Sequence, residues 1–283
     1  MDNRERQNSF AAKIMGAVVK RGRQVFRRKG PYEFSRAQRI ILKHQPAGQL
    51  RHIPIAGQQF WYRNPLELLH SQEEILADEI YKFNSNTDRP FIIDCGANMG
   101  MGVLYFKNSY PQAEVWAYEP DQTNFELLQK NVATFHDVTL HQQAIWTHNG
   151  FITFEASGTL SSKIVEGEEA ATASSMVRIP CVRLADILAQ RTVQLLKIDI
   201  EGAEYAVLKD CAPFLHQVEN MFLEYHGYVQ HTSELEELLL LVRQKGFVYY
   251  IREAAACLPH PFTDKQRKGD YDVQLNIFCY RLP

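Results

Sequence analysis

Three sets of side chains in this sequence have types and spacings suited to chemistry. The first is Asp94 with the glycines that follow it in Phe91-Ile-Ile-Asp-Cys-Gly-Ala-Asn-Met-Gly-Met-Gly102. Glycine is wanted where a turn is tight and a ligand lies against bare backbone. A helix starting after such a turn presents unpaired N–H groups to that ligand. The second is Glu119, 23 positions after Gly96 and just before Pro120. An acid about 20 residues past the turn is placed to accept from two ribose hydroxyls. The third is Asp199, Glu201, Glu224 and His226. Carboxylates and an imidazole within hydrogen-bond reach of an alcohol can orient it or take its proton.

Elements with the right patterns are available to hold these groups. Phe91–Ile93 is a short β-branched apolar run that reads as a buried central strand, and Asp94 ends it. A helix follows to about Ser109. Glu114–Tyr118 is the second strand and leads into Glu119. Thr123–Asn131 is a helix with Phe125, Leu128 and Val132 inward, and Val138–His141 is the third strand. Val193–Asp199 and Val218–Glu224 are the fourth and fifth. The four candidate acceptor-side residues therefore end two neighbouring strands, where open α/β sheets bind ligands. Ser233–Lys245 is an amphipathic helix with Gly246 as C-cap. Phe247–Ile251 and Gln274–Tyr280 read as a closing antiparallel pair. Upstream, Leu66–Phe83 is amphipathic, with Leu69, Ile75, Leu76, Ile80 and Tyr81 as core positions. Ala156–Met176, rich in small residues, suits a lid.

The turn also discriminates between ligands. The dinucleotide pattern G-x-G-x-x-G is not met, because Asn98 occupies its second glycine position, and no Walker lysine follows. Asp-x-Gly-x-x-x-Gly suits S-adenosylmethionine instead. That molecule has no pyrophosphate, so a carboxylate beside the turn can face a cationic ligand. Two rival classes fit less well. A nicotinamide oxidoreductase conflicts with Asn98, and a non-catalytic binding protein has no need to retain Asp94, Glu119 and Asp199.

Four segments carry a family resemblance: Phe91–Gly102, Ala117-Tyr-Glu-Pro120, Cys181-Val-Arg-Leu-Ala-Asp-Ile-Leu188 and Lys197-Ile-Asp-Ile-Glu-Gly-Ala-Glu204. Together, over residues 54–283, they resemble the FkbM-type S-adenosylmethionine-dependent methyltransferases. The resemblance implies a Rossmann-like class I fold. This is an α/β architecture whose seven-stranded, mostly parallel sheet has the order 3-2-1-4-5-7-6, with helices on both faces. It also implies O-methylation of a hydroxyl, in a surface or lipid-linked glycan or in a secondary metabolite. On this reading Glu119 binds the ribose, while Asp94, Gly96, Asn98 and Gly100 meet the amino-acid end. Pro120 is a further cofactor contact, and Gln143, Ala144 and Trp146 are candidates to frame the adenine, Trp146 being equally suited to the core. Asp199 and Glu201 are first choices for orienting or deprotonating the acceptor, and His226 is the natural proton acceptor near neutrality. The methyl of a sulfonium is already activated, so the chemistry demands no metal, and no complete ligand set is visible in the sequence.

Composition sets the outer bounds. A net charge of −2 over 283 residues argues against a nucleic-acid binder. Residues 1–30, however, hold nine Arg or Lys against Asp2 and Glu5. From about Ser9 they pattern as a basic amphipathic helix, suited to an anionic membrane surface or to a partner chain. Five cysteines without a C-x-x-C pair predict reduced core thiols. No apolar run reaches the ~20 residues of a membrane span. The expected location is the cytoplasm, with contact at the inner membrane face through residues 1–30. The organisation read from these patterns is a basic extension over 1–50, a cap region over 51–88 and the catalytic domain over 89–283.

Overall fold

A computed structural model of the chain describes residues 32–155, 176–263 and 270–282. The helix expected within 1–30 and the lid, with Ser161 and Ser162, fall outside the described residues.

At the centre is a seven-stranded sheet. Its strands are β3 (Phe91–Cys95), β4 (Glu114–Tyr118), β5 (Val138–His141), β9 (Val193–Ile198), β10 (Val218–Gly227), β11 (Val248–Ala255) and β12 (Val273–Tyr280). Their spatial order is β5-β4-β3-β9-β10-β12-β11, the 3-2-1-4-5-7-6 arrangement expected. Only β12 runs antiparallel to its neighbours β10 and β11. Strands β3 and β9 lie in the middle and are buried along their whole length. This is why they read as continuous apolar runs rather than alternating ones.

Two cores cover the two faces. One packs α5 (Leu184–Leu188), α6 (Glu204–Asp210) and α7 (Thr232–Gln244) on the sheet. The other packs α1 (Arg36–His44), α2 (Pro65–Ser71), α3 (Met101–Ser109) and α4 (Gln122–Val132) on the opposite face. A hairpin of β1 (Arg51–Ile55) and β2 (Gln58–Tyr62) belongs to this second layer, turning at Ala56 and Gly57, both with positive φ. Asn131 of α4 pins it. Its Nδ2 donates to Trp61 O (2.9 Å) and Met99 O (2.8 Å), and its Oδ1 accepts from Trp61 N (2.6 Å).

Three local expectations change. Helix α1 was not foreseen, although Ser35 and Gln38 form a capping box that marks its start. The helix expected over Leu66–Phe83 is α2 continued by one wide turn, Gln72–Ala77, and it ends there. Asp78 N bonds to Glu73 O and Ile80 N to Glu74 O, and Glu79 with φ 51° breaks the helical path. The segment after β5 forms a separate three-stranded sheet of β6 (Ala144–Trp146), β8 (Met176–Arg183) and β7 (Gly150–Glu155). All five cysteines are free and buried.

Candidate active site

The glycine turn is held from behind. Gly96 N and Ala97 N both donate to Tyr118 O, at 3.0 and 2.9 Å, tying the turn to the end of β4. Gly96 has φ 81°, and a Cβ there would lie 1.8 Å from Asp199 O. The position must be glycine because the end of β9 fills that space. Bare backbone for a ligand is not the reason. At Gly100, φ 90°, a Cβ would meet Leu128 of α4 at 2.8 Å, so this glycine serves helix packing. Asn98 forms the tip of the turn in the left-handed region, φ 49°, which Asn tolerates better than most residues. Its Nδ2 reaches Glu67 of α2 at 2.5 Å.

Glu119 is buried and well seated. One carboxylate oxygen accepts from Asn98 N (2.8 Å) and the other from Asp121 N (2.9 Å). Each oxygen keeps acceptor capacity for a further donor. Burial pushes its pKa up to about 7, against the opposing pull of these two N–H groups. Pro120, half-buried, follows it. Glu119 N donates to His141 O at the end of β5. Gln143 and Ala144 come just past that strand end. Ala144 and Trp146 are both buried members of the core.

Asp94 departs from expectation. It is 1% exposed and turned toward Lys197. The register sets Asp94 beside Lys197 on one face of the sheet. Lys197 Nζ lies 3.1 Å from Asp94 and 3.4 Å from Asp199, and donates to Gly96 O. Burial works against the ammonium, but Asp94 and Asp199 outweigh it and hold the Lys197 pKa well above the ordinary lysine value. Asp94 therefore acts on the site through Lys197, a residue the sequence reading passed over. The signal was there: one lysine inside an otherwise buried strand.

At the carboxyl ends of β9 and β10 lies the second group. Asp199, Glu224 and His226 each bring a ligand atom to within 4.8 Å of the others. Glu204, the first residue of α6 and fully buried, organises them. It accepts from Ile200 N (3.1 Å) and from Gly202 N, and His226 Nδ1 lies 3.1 Å from its carboxylate. The other ring nitrogen, Nε2, is 3.7 Å from both Glu201 and Glu224. Tyr271 packs on the imidazole, with ring centroids 4.8 Å apart, and donates to Glu201 O at 2.8 Å. Glu201 has φ 56°, a backbone conformation uncommon for a residue with a side chain and one that gathers at functional sites.

The charge balance revises the role foreseen for His226. Burial alone would lower its pKa, but the hydrogen bond to Glu204 and the charges of Glu204, Asp199 and Glu201 push it up to about 10. Such a ring is protonated at neutrality and cannot take a proton there. Burial, with Asp199 adding to it, pushes Glu224 up to about 8. Desolvation also raises Glu201, against the pull of His226. Of the four rim side chains, Glu201 is the most open, 44% exposed, against 26% for Asp199, 19% for Glu224 and 1% for His226. Glu204 and Tyr271 complete the list of residues the sequence reading missed. Glu204 closes the quoted Asp-Ile-Glu-Gly-Ala-Glu motif, whereas Tyr271 had no local signal.

The chain that carries this turn and rim is similar to known methyltransferases. The profile described as the methyltransferase FkbM domain matches residues 94–249. Methyltransferase sdnD of Sordaria araneosa is 30% identical over 226 residues, covering 68% of this chain and 86% of that protein. The 31-O-demethyl-FK506 methyltransferase FkbM of Streptomyces tacrolimicus is 27% identical over 241 residues, covering 69% and 84%. The 2-O-methyltransferase NoeI of Sinorhizobium fredii is 24% identical over 163 residues, covering 52% and 67%. Among solved structures, Methyltransferase FkbM of Methylobacillus flagellatus aligns with TM-score 0.45 and 17% identity, covering 74% of this chain and 47% of that one. With more than half of its length matched by the family profile, the chain belongs to the FkbM methyltransferase family, and S-adenosylmethionine is its methyl donor.

Proposed function

We propose that the enzyme methylates a hydroxyl oxygen, with a sugar of a surface or lipid-linked glycan as acceptor. The observation that carries this reading is the acidic rim of Asp199, Glu201, Glu224 and His226 beside the cofactor turn. Clustered carboxylates suit a polyhydroxylated ligand, whose hydroxyls donate to them. The names of two relatives support transfer to oxygen: one is a 2-O-methyltransferase, the other acts at the 31-O position of FK506. The second name also favours a further reading, a hydroxyl of a free metabolite.

The transfer is an in-line displacement. The acceptor oxygen forms a bond to the methyl carbon as the carbon–sulfur bond breaks, and that electron pair returns to sulfur. Glu201 takes the hydroxyl proton, because it is the rim carboxylate most open to an acceptor. Glu201→Gln should lower kcat about 10²-fold or more and leave affinity for S-adenosylhomocysteine unchanged. Mass analysis of surface glycans and extracted metabolites, with and without the gene, tests the acceptor. Loss of one CH2 unit per modified glycan supports the preferred reading. A change confined to free metabolites overturns it in favour of the second.

The basic segment 1–30 supports work at an anionic bilayer. Sedimentation with anionic vesicles that is unaltered by deleting those residues would remove this part of the reading.

A further inference from the structure

The acidic rim carries more than proton transfer requires. Asp199, Glu224 and His226 converge within 4.8 Å. His226 can coordinate once a cation displaces its Nε2 proton, since metal binding releases the protons of its ligands. The buried Glu204 carboxylate fixes Nδ1, and Nε2 points into the group, 3.7 Å from Glu224 Oε1 and with no hydrogen-bond partner among the described residues. Carboxylate, imidazole, cation is the usual order when histidine binds a metal, because the outer acid fixes tautomer and ring orientation.

Asn276 supplies an independent observation. It lies directly across from Glu224 in the β10–β12 ladder, so the two side chains stand on the same face. Its Nδ2 donates to Glu74 at 2.9 Å. Its Oδ1 is buried without a hydrogen-bond partner, on a residue only 3% exposed. A carbonyl oxygen left this way is costly, and it can be satisfied by a cation or by a water bound to one. Charge points the same way. Asp94, Asp199, Glu201, Glu204 and Glu224 gather around Lys197 and one imidazole.

We propose that Asp199, Glu224 and His226 hold a divalent transition-metal cation whose open positions bind the acceptor's hydroxyl oxygens. Two carboxylate oxygens and one imidazole nitrogen suit Mn2+ or its neighbours better than Mg2+ or Ca2+, which favour oxygen alone. Bonds of ~2.1 Å set adjacent ligand atoms about 3.0–3.5 Å apart. The 3.7 Å between His226 Nε2 and Glu224 Oε1 closes to that spacing with a small side-chain shift. Three protein ligands leave room for an acceptor, and a bound hydroxyl loses its proton to Glu201 more readily. This deepens the acceptor-site reading and rests on it.

The test uses the full chain, stripped with chelator and saturated with S-adenosylhomocysteine, and titrated with Mn2+ while the free-ion signal is followed by electron paramagnetic resonance. One Mn2+ should bind per chain. Glu224→Gln and Glu204→Gln should each weaken binding by about tenfold or more, with S-adenosylhomocysteine affinity unchanged as the check on folding. Mn2+ affinity in both variants equal to that of the native chain overturns the proposal, and so does no binding at millimolar Mn2+. Displacement of Mn2+ by S-adenosylhomocysteine also overturns it, since the rim would then seat the cofactor's ammonium. Methyl transfer that is indifferent to chelator sinks the cation and leaves the methyltransferase standing. Failure to bind S-adenosylhomocysteine sinks both.

Discussion

Cofactor affinity should depend on pH through one residue, Glu119. Burial raises its carboxyl from the ordinary 4.5 to about 7, although Asn98 N and Asp121 N both donate to it. In the free protein this raised pKa is a source of stability below 4.5 that is lost as pH rises through about 7. By linkage the loss amounts to about 3 kcal/mol. A ribose diol donating to both oxygens favours the ionised form, so binding releases a proton wherever Glu119 is protonated. With a pKa of about 7, the carboxylate is roughly 90% ionised at about pH 8 and roughly 10% at about pH 6. Affinity for S-adenosylhomocysteine should therefore fall about tenfold from about pH 8 to about pH 6. Isothermal titration in buffers of different ionisation enthalpy counts the protons: about 0.9 released per ligand at about pH 6, and about 0.1 at about pH 8. Glu119→Gln should bind more weakly and lose this dependence. Flat affinity in the native chain, or the same slope in Glu119→Gln, would refute the assignment of Glu119 to the ribose.

Three further outcomes follow from the packing around the turn. Gly96→Ala forces a Cβ to 1.8 Å from the Asp199 carbonyl at a positive φ. It should destabilise the fold by about 3 kcal/mol or more, read by urea denaturation. Lys197→Met leaves Asp94 buried without its ion pair, a loss of about 3–5 kcal/mol. Adding Asp94→Asn should recover part of it, a non-additivity that denaturation of the double variant measures. Asn131→Ala removes three hydrogen bonds that hold the β1–β2 hairpin and the turn. It should cost about 2–4 kcal/mol, with faster amide exchange confined first to the hairpin.

The parts of the site that were legible in the sequence are those set by local pattern. Phe91–Gly102 reads as strand and turn because a fully buried central strand must be apolar throughout, and because glycine is needed where φ is positive. Glu119 was found by spacing, since one helix and one strand separate it from the turn. The strand order came from the family resemblance, as periodicity cannot order strands. What was not legible depends on contacts between distant segments. Lys197 and Gly96 are 101 positions apart, and Tyr271 reaches Glu201 across 70. The inward turn of Asp94 follows from the β3–β9 register, which no local window contains. The wide turn after α2 escaped because its apolar residues, Leu76 among them, keep a helical spacing while the backbone does not.

Lys197 also explains why the two halves of the site keep one geometry. Its ammonium joins Asp94 at the end of β3, the Gly96 carbonyl in the turn and Asp199 beyond β9. Glu204 then fixes the Asp199–Gly202 loop through Ile200 N and Gly202 N and orients His226, while Tyr271 holds the Glu201 carbonyl. A displacement reaction needs donor carbon, sulfur and acceptor oxygen in line, and a misplacement of about 1 Å costs on the order of 10² in rate. The glycine turn and the acidic rim, proposed for donor and acceptor, are thus referenced to one buried charge. Arginine would not replace it, since a planar guanidinium cannot converge on three oxygens as a compact ammonium does. A substitution at Lys197 that still folded should therefore lower kcat more than it weakens cofactor binding, because it would loosen the alignment between two sites that each remain intact.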